Sequence, residues 1–237
     1  MFGEIGEQLP RLKLEGEPCP DAATPLSQAQ RCLNSARGRI RNASVRAALL
    51  LRRSRPRGGD ERLVAEARAF ARSVPVPVRL QVCVSLDGAA SYVYAWINSQ
   101  VLSARPARGT RRLAPLAEWR GVSAGQEAPY HYVVATDIEA GWEAEFNRWY
   151  DSEHMPSLAA VPGSVYCVRL RSLDGGPHYH SCYDLTSPQA LERDEWLTVR
   201  NSFSSSRVRP HFLNTRRIMF RTLLDERRSG AFMEHVF

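Results

Sequence analysis

The spacing of apolar residues predicts one order of elements twice along the 237-residue chain. Runs rich in β-branched and aromatic residues predict strands, and apolar residues recurring every three or four positions predict helices. Each series has a strand, a helix and two more strands. The first series covers residues 45–51, 60–73, 77–85 and 91–97, and the second covers residues 131–138, 141–155, 164–172 and 178–185.

The two series also share sequence, at a constant separation of 87 positions (161 − 74, 172 − 85). A repeat of this length is longer than one solenoid unit and has the size of a small domain. Its Leu-Asp-Gly segment is a hairpin turn signal. The matched segments are Val74-Pro75 with Val161-Pro162, Ser85–Gly88 with Ser172–Gly175, Tyr92 with Tyr179, and Trp96 with Tyr183.

A further echo predicts a fourth strand in each copy. Thr110–Leu113 resembles Thr215–Ile218 at a separation of 105, so the second copy holds 18 additional residues (105 − 87) before this strand. A helical run with Ala190, Leu191, Trp196 and Val199 falls within them. The order β-α-β-β-α-β is the ferredoxin-like arrangement, and two such sheets packed face to face form a barrel-like sandwich.

The predicted fold class is therefore α+β, with two tandem ferredoxin-like repeats forming a barrel of the dimeric α+β type within the chain. The sequence leaves open closure between two chains of a homodimer. The predicted organisation is an N-terminal extension over 1–43 with a helix at Pro25–Ile40, a degenerate repeat over 44–125 and a complete repeat over 126–237.

Composition predicts a reduced, cytoplasmic protein. The five cysteines show no C-x-x-C spacing, which argues against a disulfide framework or a zinc knuckle. Residues 1–20 contain four Glu and no apolar core, so no signal peptide is expected, and no apolar run approaches the ~20 residues of a membrane span. Arginines crowd into residues 31–57 and the net charge is +7, yet no aromatics alternate with them, so nucleic-acid binding is not favoured.

The two copies differ in chemistry on their first helix. On a regular helix Tyr150 and His154 are i, i+4 neighbours and Asp151 and His154 are i, i+3 neighbours. An imidazole beside a carboxylate is a common general acid or base, so we expect His154 to move protons, Asp151 to orient it and Tyr150 to donate a hydrogen bond to an oxyanion. A structural Asp–His hydrogen bond is the alternative. The first copy has Leu63, Val64 and Ala67 at the corresponding positions.

Further polar residues are predicted to line a substrate site with them. Arg169 leaves one face of its strand together with Arg171, and its counterpart in the first copy is Val82. His178 and His180 likewise share a face, and with His154 they offer a metal site as a less favoured alternative, because no carboxylate accompanies them. The residues expected to contact substrate are Trp149, Arg169, His178, His180, Arg209 and His211.

The motif residues resemble a known family. Phe146-Asn-x-Trp-Tyr-Asp-x-x-His154-x-Pro156, Val161-Pro-Gly163 and Arg207-Val-Arg-Pro-His-Phe212 are similar to the EthD-like branch of the dimeric α+β barrel superfamily. The resemblance covers residues 131–222 well and 45–120 only as a degenerate copy. It implies a site between sheet and helices, and the degenerate first copy implies one competent site per chain.

We expect a cofactor-independent enzyme that isomerises, dehydrates or cyclises a small, mostly apolar metabolite, for example in secondary metabolism. One alternative is an oxidative enzyme of the same superfamily, either a cofactor-free monooxygenase or a haem enzyme. The other is a small-molecule-binding protein without turnover.

Overall fold

A computed structural model describes residues 46–54, 58–74, 79–98, 102 and 109–227. The N-terminal extension and its predicted helix at Pro25–Ile40 lie outside this range. The strands lie within a few residues of their predicted positions. They are β1 (Arg46–Ser54), β2 (Arg79–Ser85), β3 (Ala90–Asn98), β4 (Thr110–Arg120), β5 (Tyr130–Ile138), β6 (Ser164–Ser172), β7 (Tyr179–Leu185) and β8 (Phe212–Arg227).

One crossover helix follows the first strand of each half. Helix α1 (Gly59–Ser73) buries Leu63, Ala67 and Ala71, which recur every four residues on one face. In the second half, α2 (Glu143–Trp149) passes through a π-helical turn (Tyr150–His154) into α3 (Met155–Ala159). None of the helices in these described stretches is long and apolar enough to cross a membrane.

The additional residues of the second half fold as predicted into helical structure. A 3₁₀ turn (Pro188–Glu192) precedes α4 (Asp194–Arg200) and α5 (Phe203–Val208), and a second 3₁₀ turn (Arg209–His211) leads into β8. Two hydroxyls begin these elements, because Ser187 accepts from the backbone N–H of Gln189 and Ser202 from that of Ser205. The single predicted helical run is thus divided into several short pieces.

The strands form a closed barrel in the order β1-β3-β2-β8-β5-β7-β6-β4. Each half contributes four adjacent strands, β4-β1-β3-β2 and β8-β5-β7-β6, which is the same order twice. The halves are joined by β2 pairing with β8 and by β4 pairing with β6. The predicted fold class is confirmed, and the barrel closes within one chain.

Three apolar clusters stabilise this arrangement, one inside the barrel and one under the helices of each half. The first half packs α1 on a mainly aliphatic cluster that includes Val82. The second half packs its helices on an aromatic cluster that includes Phe146, Trp149 and Tyr183. The barrel interior is filled by Ala48, Leu50, Cys83, Tyr92, Tyr94, Trp96, Leu113, Val133, Ala135, Val168, Leu170, Cys182 and Phe220.

The repeat pairs Tyr92 with Tyr179 and so predicts that the two side chains lie on the same face of their sheets, which is wrong. Tyr92 lies in the barrel interior, whereas Tyr179 lies under the helices of the second half. Cys83 pairs with Tyr92 and Leu170 pairs with His180, so the structural separation on these strands is 88 (180 − 92). The second hairpin is one residue longer, and a shift of one residue turns every side chain to the other face. His180 is therefore the counterpart of Tyr92.

Candidate functional site

The crossover helix of the second half widens where the predicted catalytic residues lie. Within the π-helical turn the backbone N–H of Met155 donates to the carbonyl of Tyr150, five residues back. Pro156 explains the change, because in a regular helix its ring would clash with the carbonyl of Ser152 and it has no N–H to donate. Such turns are frequent at functional sites. This one buries both Tyr150 and His154.

A buried arginine on β6 holds this turn against the sheet. The Arg169 side chain is 1% exposed and donates to Asp151 Oδ1 at 2.6 Å and to Asn147 Oδ1 at 2.8 Å. Its guanidinium also lies 4.4 Å from the ring centroid of Tyr150, within the range of a cation–π contact. Arg169 is thus a clamp between β6 and the helix. Its role as a substrate-facing residue was predicted; in the structure, protein groups take both of its terminal nitrogens.

The predicted pairing of Asp151 with His154 is not found. Asp151 accepts from Arg169, and His154 Nδ1 has no hydrogen-bond partner among the described residues. The prediction assumed 3.6 residues per turn, and the π-helical turn changes the angle between these positions. A guanidinium within reach is also a stronger partner for a carboxylate than a neutral imidazole. The structure gives Asp151 a place in the clamp.

His154 is a buried imidazole between aromatic rings. It is 9% exposed, stacks on Trp149 with 4.2 Å between ring centroids and meets Tyr150 edge to face at 5.3 Å. Burial, with repulsion from Arg209 and Arg169, lowers the pKa of His154 to about 3. The ring is therefore neutral at pH 7. Trp149 Nε1, like His154 Nδ1, has no hydrogen-bond partner in the described part of the chain.

Tyr150 is also buried, and burial raises the pKa of its hydroxyl. Because burial raises this pKa, the hydroxyl remains a protonated phenol at neutral pH. It also forms a hydrogen bond with Ser181 on β7, which lowers the pKa by less than burial raises it. Ser181 and Asn147 were not identified as site residues from the sequence. Alternation along β7 would have placed Ser181 on the helix side once the longer hairpin was taken into account.

Positive charge surrounds these rings. Arg209 donates to the carbonyl of Arg200 at 3.1 Å, and burial together with repulsion from Arg200 and Arg217 lowers the pKa of Arg209. Within residues 46–54, 58–74, 79–98 and 109–227, none of these three arginines forms an ion pair with a carboxylate. Arg209 also acts on both His154 and Tyr150. The charge of Arg209 thus influences both side chains, and its role as a substrate-contacting residue stays a prediction.

The three remaining candidates do not join the site. His180 is buried and points into the barrel, on the opposite side of the sheet from Ser181 and Tyr150. His178 is half exposed and lies 2.6 Å from Asp137. His211 lies 2.7 Å from Glu139 and stacks on Trp142. The structure does not bring His154, His178 and His180 together, and the described residues hold no group of three or more His, Cys, Asp or Glu suited to a metal.

Comparisons with known proteins establish the fold. No protein-family model matches the chain, and no curated protein is similar to it in sequence. Among solved structures, an anthrone oxidase-like protein is similar with a TM-score of 0.56 at 12% identity, covering 80% of this chain and 95% of that one. A candidate monooxygenase from Fusobacterium nucleatum has a TM-score of 0.55 at 10% identity, covering 80% and 97%. A candidate monooxygenase from Lactobacillus acidophilus has a TM-score of 0.51 at 8% identity, covering 77% of this chain and 96% of that one.

These likenesses extend over most of the chain and nearly all of each neighbour. The chain has the ferredoxin-like, dimeric α+β barrel fold that they share. At such low identities the likeness concerns the fold alone.

Proposed function

We propose that the chain is a cofactor-independent enzyme that removes a proton from a small, mostly apolar substrate made acidic by a carbonyl group. His154 is the base. The observation that carries the proposal is a buried neutral imidazole stacked on a tryptophan. Neither His154 Nδ1 nor Trp149 Nε1 has a hydrogen-bond partner among the residues that the structure describes. Buried polar atoms are rarely left without a partner by the fold alone.

The first step breaks a C–H bond next to the carbonyl. The proton goes to His154 Nδ1, and the electron pair moves onto the carbonyl oxygen to give an enolate. Trp149 and Tyr150, whose rings contact His154, would supply hydrogen-bond donors to the enolate oxygen, and the charge of Arg209 favours the anion. The enolate in turn favours the imidazolium, which is unstable in the empty site.

Return of the proton from His154 to another atom of the substrate completes an isomerisation, a dehydration or a cyclisation. The first half has no equivalent group, since Ala67 stands 87 positions before His154. One site per chain follows. This assignment also rests on the EthD-like motif over Phe146–Pro156, whose Asn147, Trp149, Tyr150 and His154 all belong to the site described above.

A second candidate begins with the same deprotonation and then consumes oxygen. The likeness to an anthrone oxidase-like protein and to candidate monooxygenases favours it. In this version the enolate transfers electrons to O₂; for anthrone, one O₂ would give anthraquinone and one water. Small aromatic ketones of secondary metabolism are the substrate class common to both candidates.

Anthrone in deuterated buffer tests the shared step. Without oxygen, we expect the protein to accelerate exchange of the methylene protons, followed by NMR. His154→Gln should lower the rate by at least about 100-fold, and Trp149→Phe, which keeps an aromatic ring but removes the N–H, by about tenfold. Both variants should melt within a few degrees of the wild type. The matched control is Glu66→Gln, an exposed position on α1 with no expected effect.

Oxygen uptake then separates the candidates. Consumption of one O₂ per anthrone, abolished in His154→Gln, would support the oxidative version, and exchange without uptake would support proton transfer alone. A Soret band in the purified protein would contradict a cofactor-free reaction. Ligand binding that is the same in wild type and His154→Gln, with no exchange in either, would indicate a binding protein.

A further inference from the structure

A layer of polar side chains closes one end of the barrel, at the ends of the strands near the two Leu-Asp-Gly hairpins. Its backbone positions face the barrel interior, on the opposite side of the sheet from His154, and the Arg216 side chain is exposed at the mouth. We call it the barrel-mouth layer. Its members are Arg52, Tyr92, Arg111, Ser172, His180 and Arg216.

Strand pairing shows that these residues face inward, because residues directly opposite each other share a face of the sheet. Arg111 pairs with Leu50, and both Arg216 and His180 pair with Ala135. Leu50 and Ala135 belong to the cluster inside the barrel. By the same criterion, Arg52 pairs with Tyr92 and Ser172 with Leu113, which are also members of that cluster.

Each half contributes one arginine from the same sequence echo. Arg111 and Arg216 occupy the same place in Thr110–Leu113 and Thr215–Ile218. Arg52 adds a third positive charge, with its guanidinium 5.3 Å from the ring centroid of Tyr92. Burial raises the pKa of the Tyr92 hydroxyl, and the positive charges of Arg52, Arg216 and Arg111 each oppose that rise.

Among the residues that the structure describes, none of the three arginines forms an ion pair, and Arg111 uses one nitrogen to donate to the carbonyl of Gly176 at 2.6 Å. The charge of Asp137 raises the pKa of His180 slightly against the larger effect of burial, but the Asp137 oxygens accept hydrogen bonds from His178 and Asn214.

Two buried polar atoms in this layer also lack partners. His180 is 1% exposed and Ser172 is 3% exposed, yet His180 Nδ1 and Ser172 Oγ make no hydrogen bond within the described part of the chain. The other ring nitrogen of His180 donates to the carbonyl of Pro177 at 3.2 Å. Because Nε2 holds the proton of the neutral ring, Nδ1 is an acceptor. It therefore needs a donor.

We propose that the barrel-mouth layer binds an oxyanion that keeps at least one O–H group, such as hydrogen phosphate or a phosphomonoester in its singly protonated form. The arginines donate hydrogen bonds to the anionic oxygens, as guanidinium groups do to phosphate. The O–H of the ligand donates to His180 Nδ1, and Ser172 Oγ can donate or accept. The site is separate from His154 and does not depend on the function proposed for it.

Calorimetric titration with inorganic phosphate and with sulfate tests this assignment, because sulfate carries no O–H at neutral pH. The wild type should bind phosphate at least about tenfold more tightly than sulfate. Arg52→Gln and Arg216→Gln should each weaken phosphate binding by about tenfold. Arg53→Gln is the matched control, because Arg53 is exposed and adjacent along β1, with its side chain on the outer face.

Three results would overturn the proposal. They are an absence of phosphate binding at millimolar concentration, equal affinities for phosphate and sulfate, and equal losses in Arg53→Gln and Arg52→Gln. Unchanged far-ultraviolet circular dichroism would show that the variants are folded. Titration with glycerol phosphate near pH 6, where about half of it keeps the phosphate O–H, then distinguishes the source. A preference for it over inorganic phosphate at the same pH assigns the site to phosphomonoesters, and the reverse assigns it to the free ion.

Discussion

The two halves of the barrel share a strand order but fill the space between helix and sheet with different chemistry. Helix α1 presents Leu63 and Ala67 to the sheet, while the π-helical turn presents Tyr150 and His154, each 87 positions later (150 − 63, 154 − 67). On the second strand, buried Val82 contrasts with buried Arg169. The first half shows that the fold requires only apolar groups here. The fold type therefore does not by itself require the polar groups of the second half, and for this reason we place the proposed function there.

Histidine is distributed just as unevenly. All six histidines follow residue 130, and none occurs between residues 46 and 120. Two of them, His154 and His180, are buried with an unpartnered nitrogen. The halves should therefore respond differently to acid.

The largest expected effect is a loss of stability as the pH falls. Burial lowers the pKa of His154 to about 3 and that of His180 to about 4. Below pH 6.5 the unfolded chain binds a proton at each histidine and the folded chain does not, so unfolding is favoured by about 1.4 kcal/mol per pH unit for each. Between pH 7 and pH 5 the free energy of unfolding in urea should fall by about 4 kcal/mol.

Two variants divide this effect. In a buffer without phosphate, His154→Gln and His180→Gln should each remove about half of the pH dependence. An unchanged dependence in both would show that neither imidazole is held neutral by the fold.

Replacing Arg169 with the valine that the first half has at the corresponding position, Val82, should have the next largest effect on stability. Arg169→Val leaves Asp151 and Asn147 without their donor, and we expect the free energy of unfolding to fall by about 3 kcal/mol. The value is at the lower end for a buried pair because the Asp151 side chain is 34% exposed. In chemical denaturation, the double variant Arg169→Val with Asp151→Ala should lose less stability than Arg169→Val alone. Equal losses in the single and double variants would rule out an ion pair between Arg169 and Asp151.

The smallest expected loss of stability comes from a substitution in the first half. Leu63→Ala should cost about 2.5 kcal/mol by leaving a cavity under α1. Proton exchange on anthrone should be unchanged, because α1 packs on a cluster that shares no residue with the site of His154. A parallel loss of exchange activity would mean that the two halves are coupled.

Most of the fold follows from periodicity and repetition in the sequence. The strands, both crossover helices and the insertion before β8 all follow from apolar spacing and from the two echoes. The third strands show the limit, because equating Tyr92 with Tyr179 ignored a hairpin longer by one residue. Identical residues then face opposite sides of the sheet, and only the pairing of the strands reveals it.

The candidate site was less predictable. His154, Tyr150 and Trp149 were found because they are absent from the first half. The partner of Asp151 was missed because a π-helical turn is not visible in spacing, although Pro156 marks where a regular helix would be strained. The separation of His154 from His180 also depends on which face of β7 His180 takes. The repeat, with its separation of 87, assigned His180 to the wrong face.

The joins β2–β8 and β4–β6 have a practical consequence. Each half supplies the strand that covers an edge of the other, so cutting the chain within residues 121–129, between β4 and β5, gives two pieces with matching uncovered edges. Such pieces, fused to two other proteins, would make a split reporter whose reassembly signals that the fused proteins have met.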